Sequence, residues 1–159
     1  MIYISPLLNP EDQEWVQLVG RYILNMGAIE GSTRLLIALH ENTDRAPAMS
    51  ADFPSRVGFL KSRFPRTPAE RHSWAMNVFA VVGKHVNFRN IVAHSPLMIS
   101  GHEDGSKYIQ GILNLTPNEE KQAGELIGLD ELRGRVNESA KLGECLLQMQ
   151  SEFRRASAA

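Results

Sequence analysis

The sequence predicts a mainly α protein: a helical bundle of four to five helices with a small β-hairpin inserted before the last helix. Apolar residues recur at three- and four-residue steps over most of the chain, which is the spacing of one face of an α-helix. The spacing changes only over residues 97–113, where two short β-prone runs flank a turn sequence. These two patterns together define the fold class.

The first long helix is expected to begin at Asn9-Pro10, because asparagine is a good N-cap and proline suits the first helical position. The apolar pattern continues to Leu39, and the polar run 41–44 ends it. The residues that start this stripe recur at helical steps, and they are Trp15, Leu18, Val19, Tyr22, Ile23 and Met26.

The segment from Arg45 to Ser50 is predicted to be a loop. A shorter helix is expected from Asp52 to Phe64, and Pro65 should end it. One side of this helix is apolar and is formed by Phe53, Val57, Leu60 and Phe64.

A third helix is predicted from a capping box, Thr67-Pro68-Ala69-Glu70, which places proline at the first helical position. This helix should run to about His94, because Pro96 disfavours helical geometry at Ser95. Its many apolar positions indicate that it is long and well buried.

The hairpin is expected to pair Leu97–Ser100 with Tyr108–Leu113 around a tight turn at Asp104-Gly105. The last helix is predicted from Leu129 to about Arg155. Its core face is expected to contain Leu132, Val136, Ala140, Gly143, Leu146 and Leu147. No internal repeat or linker divides the sequence, so residues 1–159 are expected to form a single domain.

The charge balance excludes a protein that binds nucleic acid over its whole surface, because the net charge is −1 and the pI is about 6.5. Charge is nevertheless uneven: residues 55–89 contain seven basic residues and one acidic residue. This basic segment could bind a polyanion locally or pair two subunits. Solvated helix faces are the simpler interpretation.

The sequence predicts a cytoplasmic protein without membrane attachment. The first residues have no positive charge before their apolar run, which is untypical of a signal peptide, and no apolar run reaches the ~20 residues that span a bilayer. The only cysteine, Cys145, excludes an internal disulfide framework and is expected to be a buried, inert thiol.

The most informative stretch is Phe88-Arg89-Asn90-Ile91-Val92-Ala93-His94-Ser95. At about 100° per residue, Arg89 and His94 lie about 140° apart on an ideal helix, whereas Asn90 and His94 share a face. The helix end at His94 leaves its imidazole free to swing. Histidine transfers protons near neutral pH, and a permanently charged guanidinium binds phosphate and stabilises the transition state. The set therefore suits phosphodiester cleavage.

This stretch resembles the motif of the HEPN superfamily: an arginine, commonly a polar residue such as asparagine after it, and a histidine after four to six intervening residues. In that family the motif lies late in the third main helix of a helical bundle, which is where this sequence places it. The resemblance implies that Arg89 and His94 are the catalytic pair and that Asn90 is the polar residue. It extends more weakly to an acid embedded in the first helix, here Glu30.

By that resemblance, the chain is expected to be a metal-independent endoribonuclease that needs no cofactor and builds its site across a homodimer. An RNA 2′-hydroxyl would attack the adjacent phosphate and leave a cyclic phosphate. The protein could act alone or as the toxin of a toxin–antitoxin pair with a regulatory protein partner. The alternative is a non-catalytic HEPN-like module that binds a nucleotide, RNA or a protein partner, and the near-neutral pI favours that reading.

Structural roles for the motif stay open: Asn90 and His94 could satisfy carbonyls at the helix end, and Arg89 could pair with an acid of the last helix. His85 is expected to be exposed, and Glu30 is expected to face water. The residues His94, His102, Glu103 and Asp104 lack the regular spacing of a metal site, so no metal site is predicted.

Overall fold

The structure is a computed structural model that describes residues 3–6, 10–40, 45–94, 97–111 and 126–157. It is mainly helical, as predicted, with a small antiparallel sheet whose hairpin precedes the last helix. Within these residues the α-helices are α1 (Gln13–Leu39), α2 (Arg45–Ser50), α3 (Phe53–Arg63), α4 (Ala69–His94) and α5 (Leu129–Ser157).

Helix α1 confirms the first predicted helix, and a short 3-10 turn at Pro10–Asp12 precedes it. The predicted N-cap, Asn9, lies outside the described residues. Two apolar residues of the predicted pattern are exposed, Ile23 and Leu35. The buried members are Trp15, Leu18, Val19, Tyr22 and Met26.

The predicted loop at residues 45–50 is wrong, since this segment forms α2. Proline at position 47 falls in the first turn of the helix, where its missing N–H costs no hydrogen bond. Alanine and methionine in the rest of the segment are good helix formers. The proline therefore belongs to the start of a helix and not to a loop.

Helix α3 is confirmed almost to the residue. Asp52 is its N-cap, and the Asp52 Oδ1 atom accepts a hydrogen bond from the Ser55 backbone N–H at 2.8 Å. Hydrogen bonds from Ser55 lower the pKa of the Asp52 carboxyl. The four residues of the predicted apolar side are all buried: Phe53, Val57, Leu60 and Phe64.

Helix α4 begins one position later than the capping box predicts. The carbonyl of Pro68 accepts the first helical hydrogen bond, from the His72 N–H at 3.0 Å, so Pro68 is the N-cap and not the first helical residue. The helix ends at His94 as predicted. Ser95 and Pro96, on which that prediction rests, lie outside the described residues.

The hairpin is confirmed by strands β2 (Leu97–Gly101) and β3 (Lys107–Gly111), which pair in register from Leu97 opposite Gly111 to Gly101 opposite Lys107. Gly105 adopts a φ of +83° in the connecting turn, a conformation that glycine takes at no steric cost. The ends of the second predicted strand, Ile112 and Leu113, lie outside the described residues.

Two further strands, β1 (Tyr3–Pro6) and β4 (Ile127–Gly128), extend the sheet in the order β1-β2-β3-β4, with every pair antiparallel. Neither was predicted from the sequence. They have four and two residues, too few for an alternating pattern to show.

Helix α5 confirms the last predicted helix, but its core face is turned relative to the prediction. Ala140 and Leu147 are exposed, Leu147 to 60%. The buried face follows the helical period more closely than the predicted one, through Leu132, Val136, Ser139, Leu142, Leu146 and Met149.

The chain forms two compact units, one within residues 1–24 and 87–138 and the other within 25–86 and 139–159. The expectation of a single domain over 1–159 stays a prediction. In the second unit α1 and α5 run parallel, since Asn25 donates to Ser139 at 3.0 Å and the His40 and Phe153 rings lie 5.0 Å apart.

Among the residues described, no helix combines the length and apolar character that crossing a membrane requires.

Candidate functional site

The candidate site lies at the C-terminal end of α4, in the first unit. Asn90 and His94 are exposed, and Arg89 is half-buried. This placement follows from the sequence: Phe88 and Val92 occupy the inward positions of the last turns, so the polar residues between them face outward.

One guanidinium nitrogen joins the three residues. Arg89 Nη1 donates a hydrogen bond to Asn90 Oδ1 at 3.0 Å and lies 3.4 Å from His94 Nε2. The long arginine side chain thus overcomes the wide angle between Arg89 and His94 on the helix. The structure brings together all three residues that the sequence singled out.

The contact also indicates which ring nitrogen of His94 could act on a substrate. A guanidinium has only donors, so in this geometry His94 Nε2 is the acceptor. A general base needs an imidazole nitrogen with a free lone pair, and Nε2 offers one once Arg89 turns to another partner.

Beneath this surface, Phe88 connects α4 to the other two long helices of the unit. Its ring lies 4.9 Å from the ring of Tyr22 on α1, and the guanidinium of Arg135 on α5 stacks over it at 4.3 Å. The residue next to Arg89 is therefore held by an aromatic contact on one helix and a cation on another.

The buried hydroxyl of Tyr22 lies within the electrostatic influence of three charged groups. Burial raises the pKa of Tyr22 far above its usual range, Arg135 and Arg89 act to lower that pKa, and Glu138 acts to raise it. The charges of two arginines from different helices and of one acid from α5 therefore reach the same hydroxyl.

Arg135 and Glu138 are the residues that the sequence interpretation missed. Arg135 binds Glu131 one turn earlier, through Nε at 3.3 Å and Nη2 at 2.8 Å. The spacing of four and three residues from Glu131 through Arg135 to Glu138 on one side of α5 was the available signal. By itself this spacing is typical of an ordinary solvated helix face, and only the structure shows that Arg135 contacts the Phe88 ring.

Two other sequence predictions are wrong. His85 is buried rather than exposed, because it shares the inward stripe of α4 with Phe88 and Val92 at steps of three and four. Glu30 does not face water: its Oε1 accepts from Arg56 Nη2 at 2.8 Å in a largely buried ion pair. This pair also takes Arg56 out of the exposed basic segment.

The residues considered for a metal have other partners in the hairpin turn. Asp104 Oδ1 accepts from the Ser106 backbone N–H at 2.9 Å, and the His102 ring packs edge-on against Tyr108 at 5.2 Å. Within the described part of the chain, no group of three or more His, Cys, Asp or Glu side chains is placed to hold a metal ion.

Comparisons of this chain with protein-family models, with curated proteins and with solved structures return no match. The resemblance to the HEPN superfamily therefore rests on the motif and on its place in the helical fold. Because a fold alone does not determine function, a proposed function has to be supported by the chemistry of the site.

Proposed function

We propose that this protein is a metal-independent endoribonuclease of the HEPN type, acting in the cytoplasm, with Arg89 and His94 as its catalytic pair. The observation that carries the proposal is the contact of Arg89 Nη1 with both Asn90 Oδ1 and His94 Nε2 at an exposed helix end. A fixed cation beside an imidazole that can accept a proton is the combination that transesterification of RNA needs.

In the proposed reaction the RNA phosphate takes the place of His94 as the partner of the Arg89 guanidinium. His94 Nε2 then removes the proton from the 2′-hydroxyl, and the resulting O2′ attacks the adjacent phosphorus. The P–O5′ bond breaks, which leaves a 2′,3′-cyclic phosphate and an O5′ that needs a proton. Arg89 stabilises the negative charge that builds up on the phosphoryl oxygens.

The leaving O5′ requires a general acid, and the same imidazole is not protonated and neutral at once. A homodimer meets this need if His94 of the partner subunit, in its protonated form, donates to O5′. Asn90 keeps Arg89 oriented toward the phosphate by accepting its hydrogen bond at 3.0 Å. A cell would need to restrain such an enzyme, so a regulatory protein partner of the antitoxin kind forms part of the proposal.

The proposal is tested in cells by inducing the wild-type protein, His94→Ala and a matched control, His72→Ala. His72 is a half-buried histidine of the second unit whose Nδ1 lies 3.0 Å from the Pro65 carbonyl oxygen. Growth and the integrity of total RNA are followed after induction. We expect wild type and His72→Ala to degrade RNA and slow growth, and His94→Ala to lose about 10²–10⁴-fold of the cleavage rate.

Equal RNA integrity in all three cultures, at equal protein levels, contradicts the enzyme proposal. RNA that copurifies intact with both wild type and His94→Ala would instead support the non-catalytic binding module.

A further inference from the structure

The second cation near the candidate site is Arg135 of α5. Its guanidinium covers the ring of Phe88 at 4.3 Å, and Phe88 immediately precedes Arg89. The charges of both arginines also act to lower the pKa of the buried Tyr22 hydroxyl, in keeping with a place for Arg135 in the same region of the first unit as Arg89. The side chain of Arg135 is 20% exposed, so part of it is open to a ligand.

Arg135 is held in advance of any ligand. Contact with the Phe88 ring restrains the guanidinium, and two of its nitrogens, Nε and Nη2, donate to Glu131. Glu131 is 50% exposed, and an exposed pair one helical turn apart contributes little to stability. The carboxylate is therefore an exchangeable counter-ion. Both Arg135 nitrogens share one oxygen of Glu131, whereas a phosphate can offer each nitrogen an oxygen of its own.

A neighbouring ion pair of α5 provides a comparison. Arg133 binds Asp130 at 2.6 Å and Glu14 at 2.9 Å, and its side chain is 44% exposed. These contacts are with carboxylates on the surface of the same unit, whereas Arg135 stacks on the residue beside Arg89. The chain thus offers two arginines of equal charge, two residues apart, with different surroundings.

We propose that Arg135 is a second phosphate-binding residue of the candidate site, which exchanges Glu131 for a backbone phosphate of RNA next to the phosphate held by Arg89. This inference rests on the proposed function for the identity of the ligand. It makes Arg135 a substrate-binding residue and assigns it no proton transfer. It also predicts that Glu131 competes with RNA, because both use the same guanidinium.

The test measures binding of a fluorescent 2′-O-methyl RNA oligonucleotide, which lacks the attacking hydroxyl and is not cleaved. Arg135→Gln is compared with Arg133→Gln, and Glu131→Gln with Asp130→Asn, so that each pair of variants has the same net charge. We expect Arg135→Gln to weaken binding about tenfold or more, the loss of a charge-assisted hydrogen bond, while Arg133→Gln changes it by less than about threefold. Glu131→Gln should tighten binding, and Asp130→Asn should not.

The salt dependence of binding separates a direct contact from a general effect of charge. Arg135→Gln should reduce the slope of log K against log salt by about 0.7, one phosphate contact with a single strand, whereas Arg133→Gln should leave the slope unchanged. Arg135→Lys keeps the charge but loses the bidentate geometry of the guanidinium, so its affinity for the RNA should lie between those of wild type and Arg135→Gln. Thermal melts of each variant show that it is folded.

Equal weakening by Arg135→Gln and Arg133→Gln, or equal effects of Glu131→Gln and Asp130→Asn, overturns the inference. Wild-type cleavage together with normal binding by Arg135→Gln overturns it while the proposed function stands. Selective loss of binding in Arg135→Gln without any cleavage by wild type supports Arg135 as a phosphate ligand and contradicts the endoribonuclease.

Discussion

Two arginines show how burial separates a cation that is enclosed by the fold from one that reaches the surface. Arg56, in the second unit, is 2% exposed and is surrounded by partners: Glu30, the Thr33 hydroxyl at 3.3 Å and the carbonyl oxygen of Ala51. Arg89, in the first unit, is half-buried and reaches the exposed side chains of Asn90 and His94.

The difference teaches which cation is available to a ligand. A buried charge must keep its partners, because losing them leaves an unpaired charge in a medium of low dielectric constant. A cation at the surface can exchange an amide or imidazole for a phosphate at little cost. The sequence does not distinguish these two residues, because both belong to the basic segment 55–89.

The largest expected effect is on stability, and it separates the two arginines. Arg56→Ala should lower the free energy of unfolding by about 3–5 kcal/mol, because the largely buried ion pair between Arg56 and Glu30 is broken. Arg89→Ala should lower it by less than about 1 kcal/mol, since its partners are exposed. Urea denaturation followed by circular dichroism measures both changes.

The double variant Arg56→Ala/Glu30→Ala is the control for this comparison. Removing both charges should cost less than the sum of the two single changes, because neither charge is then left unpaired. Equal destabilisation by Arg56→Ala and Arg89→Ala would contradict the contrast between the two sites.

A smaller effect is expected at Thr33, the hydroxyl partner of Arg56. Thr33 is fully buried, and its Oγ1 accepts from Arg56 Nε at 3.3 Å. Thr33→Val keeps the shape of the side chain but leaves Arg56 Nε without this acceptor. The free energy of unfolding should therefore fall by about 1–3 kcal/mol. Thr33→Ser retains the hydroxyl and should recover most of that loss; an equal loss in both variants would indicate packing rather than hydrogen bonding.

The smallest predicted effect is a pH dependence of stability at His40, in the second unit. His40 is half-buried and packs against Phe153; this partial burial lowers its pKa below 6.5, and the nearby charge of Arg63 lowers it further. The unfolded chain then binds the proton first, so the free energy of unfolding falls as the pH drops below 6.5 toward the lowered pKa. Above that window His40 is neutral in both states and has no effect.

His40→Gln should flatten this slope between about pH 7 and pH 5, as measured by thermal melts across that range. Arg63→Gln should reduce the slope less, because burial is the larger cause of the shift. An unchanged slope in His40→Gln would show that other groups produce the acid sensitivity.

Local signals predicted most of the fold. The helix that starts at Asp52 and the hairpin around Asp104-Gly105 were each predicted from neighbouring residues, and both are confirmed. Strand β1 could not be predicted in the same way, since its pairing with β2 joins residues almost a hundred positions apart. Helix α2 is only six residues long and contains a proline, a residue found both in loops and in the first turn of helices.

In the candidate site, too, contacts within one helix could be predicted from the sequence, and contacts between helices could not. Arg89, Asn90 and His94 lie within six consecutive residues, so their proximity at the helix end could be predicted. Arg135 joins them only through the packing of Phe88, which is tertiary information. Whether Glu30 and His85 face solvent is equally a matter of packing, and both predictions were wrong.

The central claim is that Arg89 and His94 catalyse attack of the RNA 2′-hydroxyl on the adjacent phosphate without a metal. The most direct measurement incubates purified protein in EDTA with an RNA oligonucleotide and with a copy that carries one 2′-deoxy position at the mapped cleavage site. We predict a 2′,3′-cyclic phosphate product from the RNA, no cut at the deoxy position, and loss of the product in both Arg89→Ala and His94→Ala. Cleavage that requires a divalent metal, persists at the deoxy position, or survives in His94→Ala would contradict the account.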